Sequence, residues 1–244
     1  MTTQQMLSPF RKAIEQWNMI SEGDKIAVGV SGGKDSLTLL QLLHAFKRFS
    51  PKSFELAAIT IDLGFTKDDA YLPVADFCKK MSIPYYVEKT EIAQIIFDER
   101  KETSPCSLCS KMRRGALNNK LNELGFNKLA LGHHADDVIE TFFLSLFFEG
   151  RLSTFAPVAY MDRSEITLIR PMVLIWENEI SSYSTGLPIV FNPCPADKHT
   201  KRQYIKEKIE NLKTDIPFIK QRILSSIISP ERYNLWDNDF QKNT

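Results

Sequence analysis

The chain contains no run of about 18 apolar residues, the length a helix needs to cross a bilayer, so no membrane span is expected. Its opening stretch, MTTQQMLSPFRKAIEQW, lacks the apolar centre of a secretory signal, which predicts a cytoplasmic protein. Charge of either sign is not in excess: 31 basic and 30 acidic residues leave a net +1. No global field therefore advertises a polyanionic partner, and any nucleic-acid contact must come from a local patch. Internal repeats and low-complexity segments are absent. Cysteine is scarce, at four in 244 residues. In a reducing compartment these thiols are expected to be free, catalytic or metal-bound rather than paired.

What is present reads as a soluble globular chain, with 43% hydrophobic and 25% charged residues. Its length suffices for one core domain with appendages. Apolar spacing from Phe10 to Ile20 predicts an amphipathic opening helix. Buried strands are predicted at Lys25–Val30, Leu56–Leu63, Pro84–Glu88, Lys128–Gly132 and Ile166–Arg170. Helical patterns lie between them, at Leu37–Phe49, Ala70–Met81, from the first cysteine pair to Leu124, and at Asp136–Phe148; Glu177–Thr185 follows the last strand. This alternation predicts an α/β fold, a parallel five-stranded sheet with helices on both faces. We divide the chain into an N-terminal helix (1–24), a nucleotide domain (25–192) and a short C-terminal helical extension (193–244) packed against the main domain. In such sheets ligands bind beyond the carboxyl ends of the strands.

Three strand ends carry chemistry. The first is VGVSGGKDS, Val28 to Ser36. Gly32 and Gly33 let the backbone approach an anion, and successive amides with the following helix N-terminus form a nest for phosphate oxygens. Ser31 and Ser36 add hydroxyls, Lys34 a positive charge and Asp35 a carboxylate. The loop is not a Walker A motif, because Val28 stands where that motif needs glycine and Asp35 where it needs Ser or Thr. A plain glycine-rich turn capped by Asp35 or Ser36 is the alternative. The SGGxDS pattern resembles the PP-loop of N-type ATP pyrophosphatases, which implies that ATP is cleaved between its α and β phosphates and that the substrate receives AMP. Asp62 ends the run AAITI and is expected near the ribose or adenine, as that strand end is in the superfamily. GHHADD, Gly132 to Asp137, follows KLAL. There Gly132 would admit the nucleotide and His133 would neighbour its adenine. Of Asp136 and Asp137, one is expected to cap the next helix and the other to hold Mg²⁺ or a water.

The remaining signal is Cys106-Ser-Leu-Cys109 at the start of a helix, a pair able to serve one metal or a redox couple. Cys78 reads as a small core residue, and Cys194 stands alone. The order of PP-loop, PCSLC with basic residues after it, LALGHHxDDxxET, IRPM and a late cysteine resembles the tRNA 2-thiocytidine synthetase family. The match runs from about Lys25 to Cys194. The resemblance implies a 4Fe-4S cluster on Cys106, Cys109 and Cys194, with its fourth iron open to sulfide, and ATP-dependent thiolation of a tRNA pyrimidine, 2-thiocytidine first. It further implies a sulfur donor such as a cysteine desulfurase, and allows a homodimer. Lys111, Arg113 and Arg114 follow the pair; Arg113 and Arg114 are expected to stabilise leaving charge or grip an RNA phosphate. Lys34, Asp136 and Asp137 complete the catalytic candidates.

Two departures stand out. CPAD, Cys194 to Asp197, replaces the second CxxC usual in the family, and Ala135 stands where an arginine is common. The alternative for the thiols is a structural zinc on Cys106, Cys109, Cys194 and either His199 or Cys78. That reading would suit a PP-loop ligase acting on a substrate other than RNA. A non-catalytic nucleotide- or RNA-binding module is the third reading. In the tail, Lys198, Lys201, Arg202, Lys206, Lys208, Lys213, Lys220 and Arg222 are interleaved with Tyr204 and Phe218, a composition that suits single-stranded RNA or a solvated helix.

Overall fold

The structure is a computed structural model and describes residues 1–65, 69–100, 105–191, 194 and 201–235. It divides into two compact units, one of 1–137 with 155–199 and one of 138–154 with 200–244.

The first unit is built on a six-stranded sheet. Strands β1 (Asp24–Gly29), β2 (Phe54–Asp62), β3 (Tyr85–Lys89), β4 (Lys128–Ala130) and β6 (Ile166–Ile169) run parallel. These are the five strands that the apolar runs predict. The addition is β5 (Val158–Met161), an antiparallel edge strand paired with β6. Its residues are only half-buried and Tyr160 is 60% exposed, so no apolar run marks it. Sheet order is β3-β2-β1-β4-β6-β5. The chain thus winds outward from β1 to β3 and then returns to place β4 on β1's other side. The reversal leaves a crevice between the carboxyl ends of β1 and β4, the switch point where such sheets bind ligands.

Continuous burial explains the central strands. Ile26, Ala27 and Val28 are wholly inaccessible, as parallel strands covered on both faces require. Against one face pack Ile92 and Ile96, from the short α4 (Ile92–Gln94) and the π-turn Ile95–Glu99, with Leu117 and Leu121 of α5 (Pro105–Leu124). Helix α2 (Lys34–Lys47) buries Leu37, Leu39, Leu40 and Leu43 and packs on α1 (Thr3–Gln16), where Phe10 meets Phe46 edge-on at 6.0 Å. Helix α1 starts at Thr3 rather than Phe10 because Thr2 and Gln5 form a capping box; Pro9 lies within it. Helix α3 (Leu72–Lys80) buries Cys78 completely, in the core role expected of it. Helix α7 (Glu177–Tyr183) follows β6.

The second unit contains most of α6 (Ala135–Glu149), with α8 (Lys201–Asp215) and α9 (Ile219–Ile227). Ile205, Ile209 and Leu224 are its buried apolar anchors. Much of its basic run meets its own acids: Arg202 pairs with Glu140 at 3.0 Å, and Lys213 and Lys220 both reach Glu210. Lys201 lies over the Phe148 ring and Lys208 over Tyr204.

Candidate active site

The phosphate loop closes on itself through its hydroxyls. Ser31 N–H donates to Ser36 Oγ at 3.2 Å, Gly33 N–H to Ser31 Oγ at 3.3 Å, and Ser36 Oγ donates to Gly33 O at 3.0 Å. The two serines therefore brace the turn. Gly33 is the N-cap of α2 and no described side chain caps it, which leaves the first-turn amides directed outward with the helix dipole behind them. Gly32 takes φ +84°, a left-handed conformation costly for other residues. Its carbonyl accepts from Val190 N–H at 2.9 Å, and a Cβ there would come within 2.9 Å of Val190 Cβ.

A cavity of about 330 Å³ opens beside this loop. Ser31, Asp35 and Ser36 line it from the loop, and Gly132, His133 and Asp137 from the segment after β4. Asp62 and Arg113 line it as well, with Ile59 and Ile61 of β2. Gly32, Gly33, Lys34, Asp136 and Arg114 are not among its lining residues. Sequence reasoning had no signal for Val190, Phe191, Phe65 or Tyr71, which also face it. They lie outside the motifs, and only the fold brings them there.

Each charged candidate has a defined neighbourhood. Lys34 Nζ donates to Asp35 at 2.7 Å and to Glu177 at 3.3 Å. Burial pushes its ammonium pKa down, but the hydrogen bond and charge of Asp35, joined by Glu177, outweigh that and leave it raised. Asp136 is buried and accepts from Glu177 N–H at 2.7 Å, so it caps α7. Asp137 accepts from His134 N–H at 3.1 Å, holding the turn that starts α6, while also facing the cavity. The buried His134 imidazole stands within 3.5 Å of Asp137 and 4.0 Å of Asp35, so it neighbours both carboxylates. Asp62 accepts from Gly64 N–H at 3.0 Å. A Cβ on Gly132 would meet the backbone of Asp35 and Ser36 at 3.0–3.1 Å, so the close approach that needs glycine here is made by the loop itself. Ala135 is wholly buried and its N–H bonds Ile175 O at 2.9 Å. His133 stacks at 4.9 Å on Phe155, whose ring also carries the Arg170 guanidinium at 4.7 Å.

Cys106 and Cys109 occupy the first turns of α5, exposed and half-buried respectively, and Cys194 is half-buried. Burial raises the Cys109 thiol pKa; Arg113 opposes this, and the charges of Cys194 and Cys106 add to it. Cys109 thus lies within reach of the charges of both other thiols. Among the described residues no three His, Cys, Asp or Glu side chains form a group that could hold a metal ion. Asn192, Pro193 and residues 195–200, including Asp197, Lys198 and His199, lie outside the described residues. Burial also lowers Arg170 to about 10, with Arg114 adding its repulsion.

The PP-loop domain family matches residues 3–212. A protein of Pelobacter propionicus named tRNA-cytidine(32) 2-sulfurtransferase is 41% identical over 235 residues, 94% of this chain and 87% of that protein. One of the same name from Citrifermentans bemidjiense is 39% identical, covering 93% and 90%. Among solved structures, the U34-tRNA thiolase NcsA of Methanococcus maripaludis with its 4Fe-4S cluster superposes with TM-score 0.75 at 25% identity, covering 95% of this chain and 79% of that one. The NH3-dependent NAD synthetase of Campylobacter jejuni, at TM-score 0.54 and 15% identity over 97% and 100%, shares the fold. The chain belongs to the PP-loop domain family and, within it, to the group of the tRNA-cytidine 2-sulfurtransferases.

Proposed function

We propose that the chain is an ATP-dependent tRNA sulfurtransferase that replaces the C2 oxygen of a cytidine with sulfur. The observation that carries this reading is Arg113: it faces the cavity beside the phosphate loop, and its charge is felt by the Cys109 thiol. One residue thus joins nucleotide chemistry to thiol chemistry. The names of the most similar relatives support the substrate.

The turn braced by Ser31, Gly32, Gly33 and Ser36 would hold the departing pyrophosphate at the uncapped first-turn amides of α2, where the helix dipole favours an anion. Asp137, which lines the cavity as Asp35 does, would hold Mg²⁺, which takes one or two carboxylates plus phosphate oxygens. Asp136 and Lys34 act as positioning residues, the first through α7 and the second through Asp35. Asp62, Gly132 and His133 would surround the nucleoside. In the first step the base oxygen forms a bond to the α-phosphorus and the bond to pyrophosphate breaks. In the second, a sulfide bonds C2, the C2–O bond breaks, and AMP leaves with that oxygen. No net oxidation occurs, and the proton of hydrosulfide passes to solvent. Arg113 would neutralise charge on the departing AMP. Arg114, beside Arg170, would meet an RNA phosphate.

The cysteines fit a 4Fe-4S cluster. They are soft donors, two of them a spaced pair in the first turns of α5 and the third close enough to act on Cys109, and a cluster would take each thiolate on a separate iron. Cys106, Cys109 and Cys194 would hold it, and a cluster with three protein thiolates would supply a place for sulfide. A cysteine desulfurase suits the role of donor. A tRNA substrate and reduced thiols fit a cytoplasmic setting; among the described residues no helix is long and apolar enough to cross a membrane. A homodimer would carry two such cavities. We extend the proposal to the division into 1–24, 25–192 and 193–244.

The test is anaerobic reconstitution with iron and sulfide, followed by ATP turnover with and without total tRNA. A brown protein that releases AMP and pyrophosphate only when tRNA is added supports the reading. A colourless protein holding one zinc, indifferent to tRNA, would instead mark an adenylating ligase for another substrate.

A further inference from the structure

Adenylation as described leaves the aromatic cavity residues Phe65, Tyr71 and Phe191 without a task, and Phe191 differs from the others in its exposure. Phe191 faces the cavity, yet 83% of its surface is open, the most of any large apolar side chain among the described residues. A single exposed ring is ordinary on a surface, but this one also lines a cavity, where its open face can bury against whatever enters. Its backbone is anchored next to the phosphate loop: the preceding Val190 donates its N–H to Gly32 O at 2.9 Å and packs on Gly32. Three residues further along stands Cys194, whose charge reaches Cys109. Phe191 therefore sits at the cavity mouth, directly after the residue bonded to the phosphate loop and three positions before Cys194 in the sequence. Those are the two places the reacting carbon must meet.

The inner wall differs. Ile59 and Ile61 are 1% and 7% exposed, so a nucleotide entering behind its phosphates finds apolar contacts deep inside. A base delivered on a polynucleotide arrives from outside and must first leave its stack. Exposed aromatic faces replace that lost stacking.

We propose that Phe191 is the stacking platform that receives the unstacked pyrimidine of the RNA substrate at the cavity mouth. This rests on the sulfurtransferase reading and adds the subsite for the target base. The experiment compares the reconstituted full chain with Phe191→Ala, Phe191→Leu and Phe191→Tyr. It measures the ATP Kd, kcat/KM for tRNA thiolation, and quenching of pyrrolocytosine placed in a stem-loop RNA at the cytidine that the wild-type chain thiolates. Loss of stacking predicts a fall in kcat/KM of about 5- to 150-fold for the Ala and Leu variants, loss of the quench, and an unchanged ATP Kd. The Tyr variant keeps both. Wild-type kcat/KM and quench in the Ala and Leu variants would overturn the subsite and leave the sulfurtransferase reading standing. A weakened ATP Kd with the RNA quench intact would also overturn it, giving the ring to adenine. A wild-type chain that thiolates no tRNA overturns both.

Discussion

Arg113 is the residue on which cavity and thiols depend together. Its guanidinium faces the cavity and opposes the burial that raises the Cys109 thiol. Arg113→Ala is expected to slow AMP formation by about 100- to 1,000-fold, the effect of removing one preorganised charge from a site where charge develops. The ATP Kd should change little, since the phosphates rest on backbone amides. Rapid-quench measurement of AMP, with equilibrium ATP binding alongside, checks this; loss of ATP affinity at an unchanged rate would make Arg113 a nucleotide ligand. Cys78 makes a contrasting case. It is wholly buried, and burial alone pushes its thiol up to about 11 from 9.0. The folded state thus favours the neutral thiol more than the unfolded chain does. That contribution to stability is fully present below pH 9 and is lost as pH rises through 11. In cluster-free native protein at pH 8, iodoacetamide should therefore modify Cys106 and spare Cys78, with Cys78 reacting only after denaturation, as peptide mapping would show.

Between elements, the decisive contact is that of the β4–α6 segment with the phosphate loop. Gly132→Ala places a methyl 3.0 Å from the Asp35 backbone, which cannot yield as a flexible side chain does. It is expected to cost about 1–3 kcal/mol of stability, and to weaken ATP binding by displacing the first turn of α2. Calorimetric titration with a non-hydrolysable ATP analogue measures the second effect. The sequence showed this region well, because both loops follow uninterrupted apolar strands and carry residues with strong local meaning: paired glycines in one, paired aspartates in the other. It did not show that Asp137 holds the start of the next helix, α6, while Asp136 caps α7 instead. Asp136 reaches Glu177, 41 residues away, and no local pattern encodes that bond. The edge strand β5 was illegible for a similar reason. It pairs on one side only and buries little, so its four residues carry no alternation. Phe191 was silent too, since an aromatic residue in a loop looks alike whether it faces water or a cavity mouth.

At the scale of the whole molecule, the sheet separates stability from chemistry along its strands. At the amino end, the first residues of β1 and β4 form a buried ion pair, Asp24 with Lys128 at 2.6 Å. Lys128 also donates to Met19 O at 2.8 Å, and Asp24 accepts from Ser21 N–H and Asn127. The cavity lies beyond the carboxyl ends of the same strands. Lys128→Met, which strands a buried carboxylate, should cost about 3–5 kcal/mol, while activity per folded molecule stays near wild type. Chemical denaturation and active-site titration together separate the two effects. The central claim concerns the other end, where ATP, thiols and an RNA base are brought together. It is tested most directly by mass spectrometry of nucleosides digested from tRNA incubated anaerobically with the reconstituted chain, ATP and sulfide. The account predicts 2-thiocytidine that appears only when ATP is present and vanishes in Cys194→Ala; an unaltered nucleoside profile, with cluster and ATP both demonstrably bound, would contradict it.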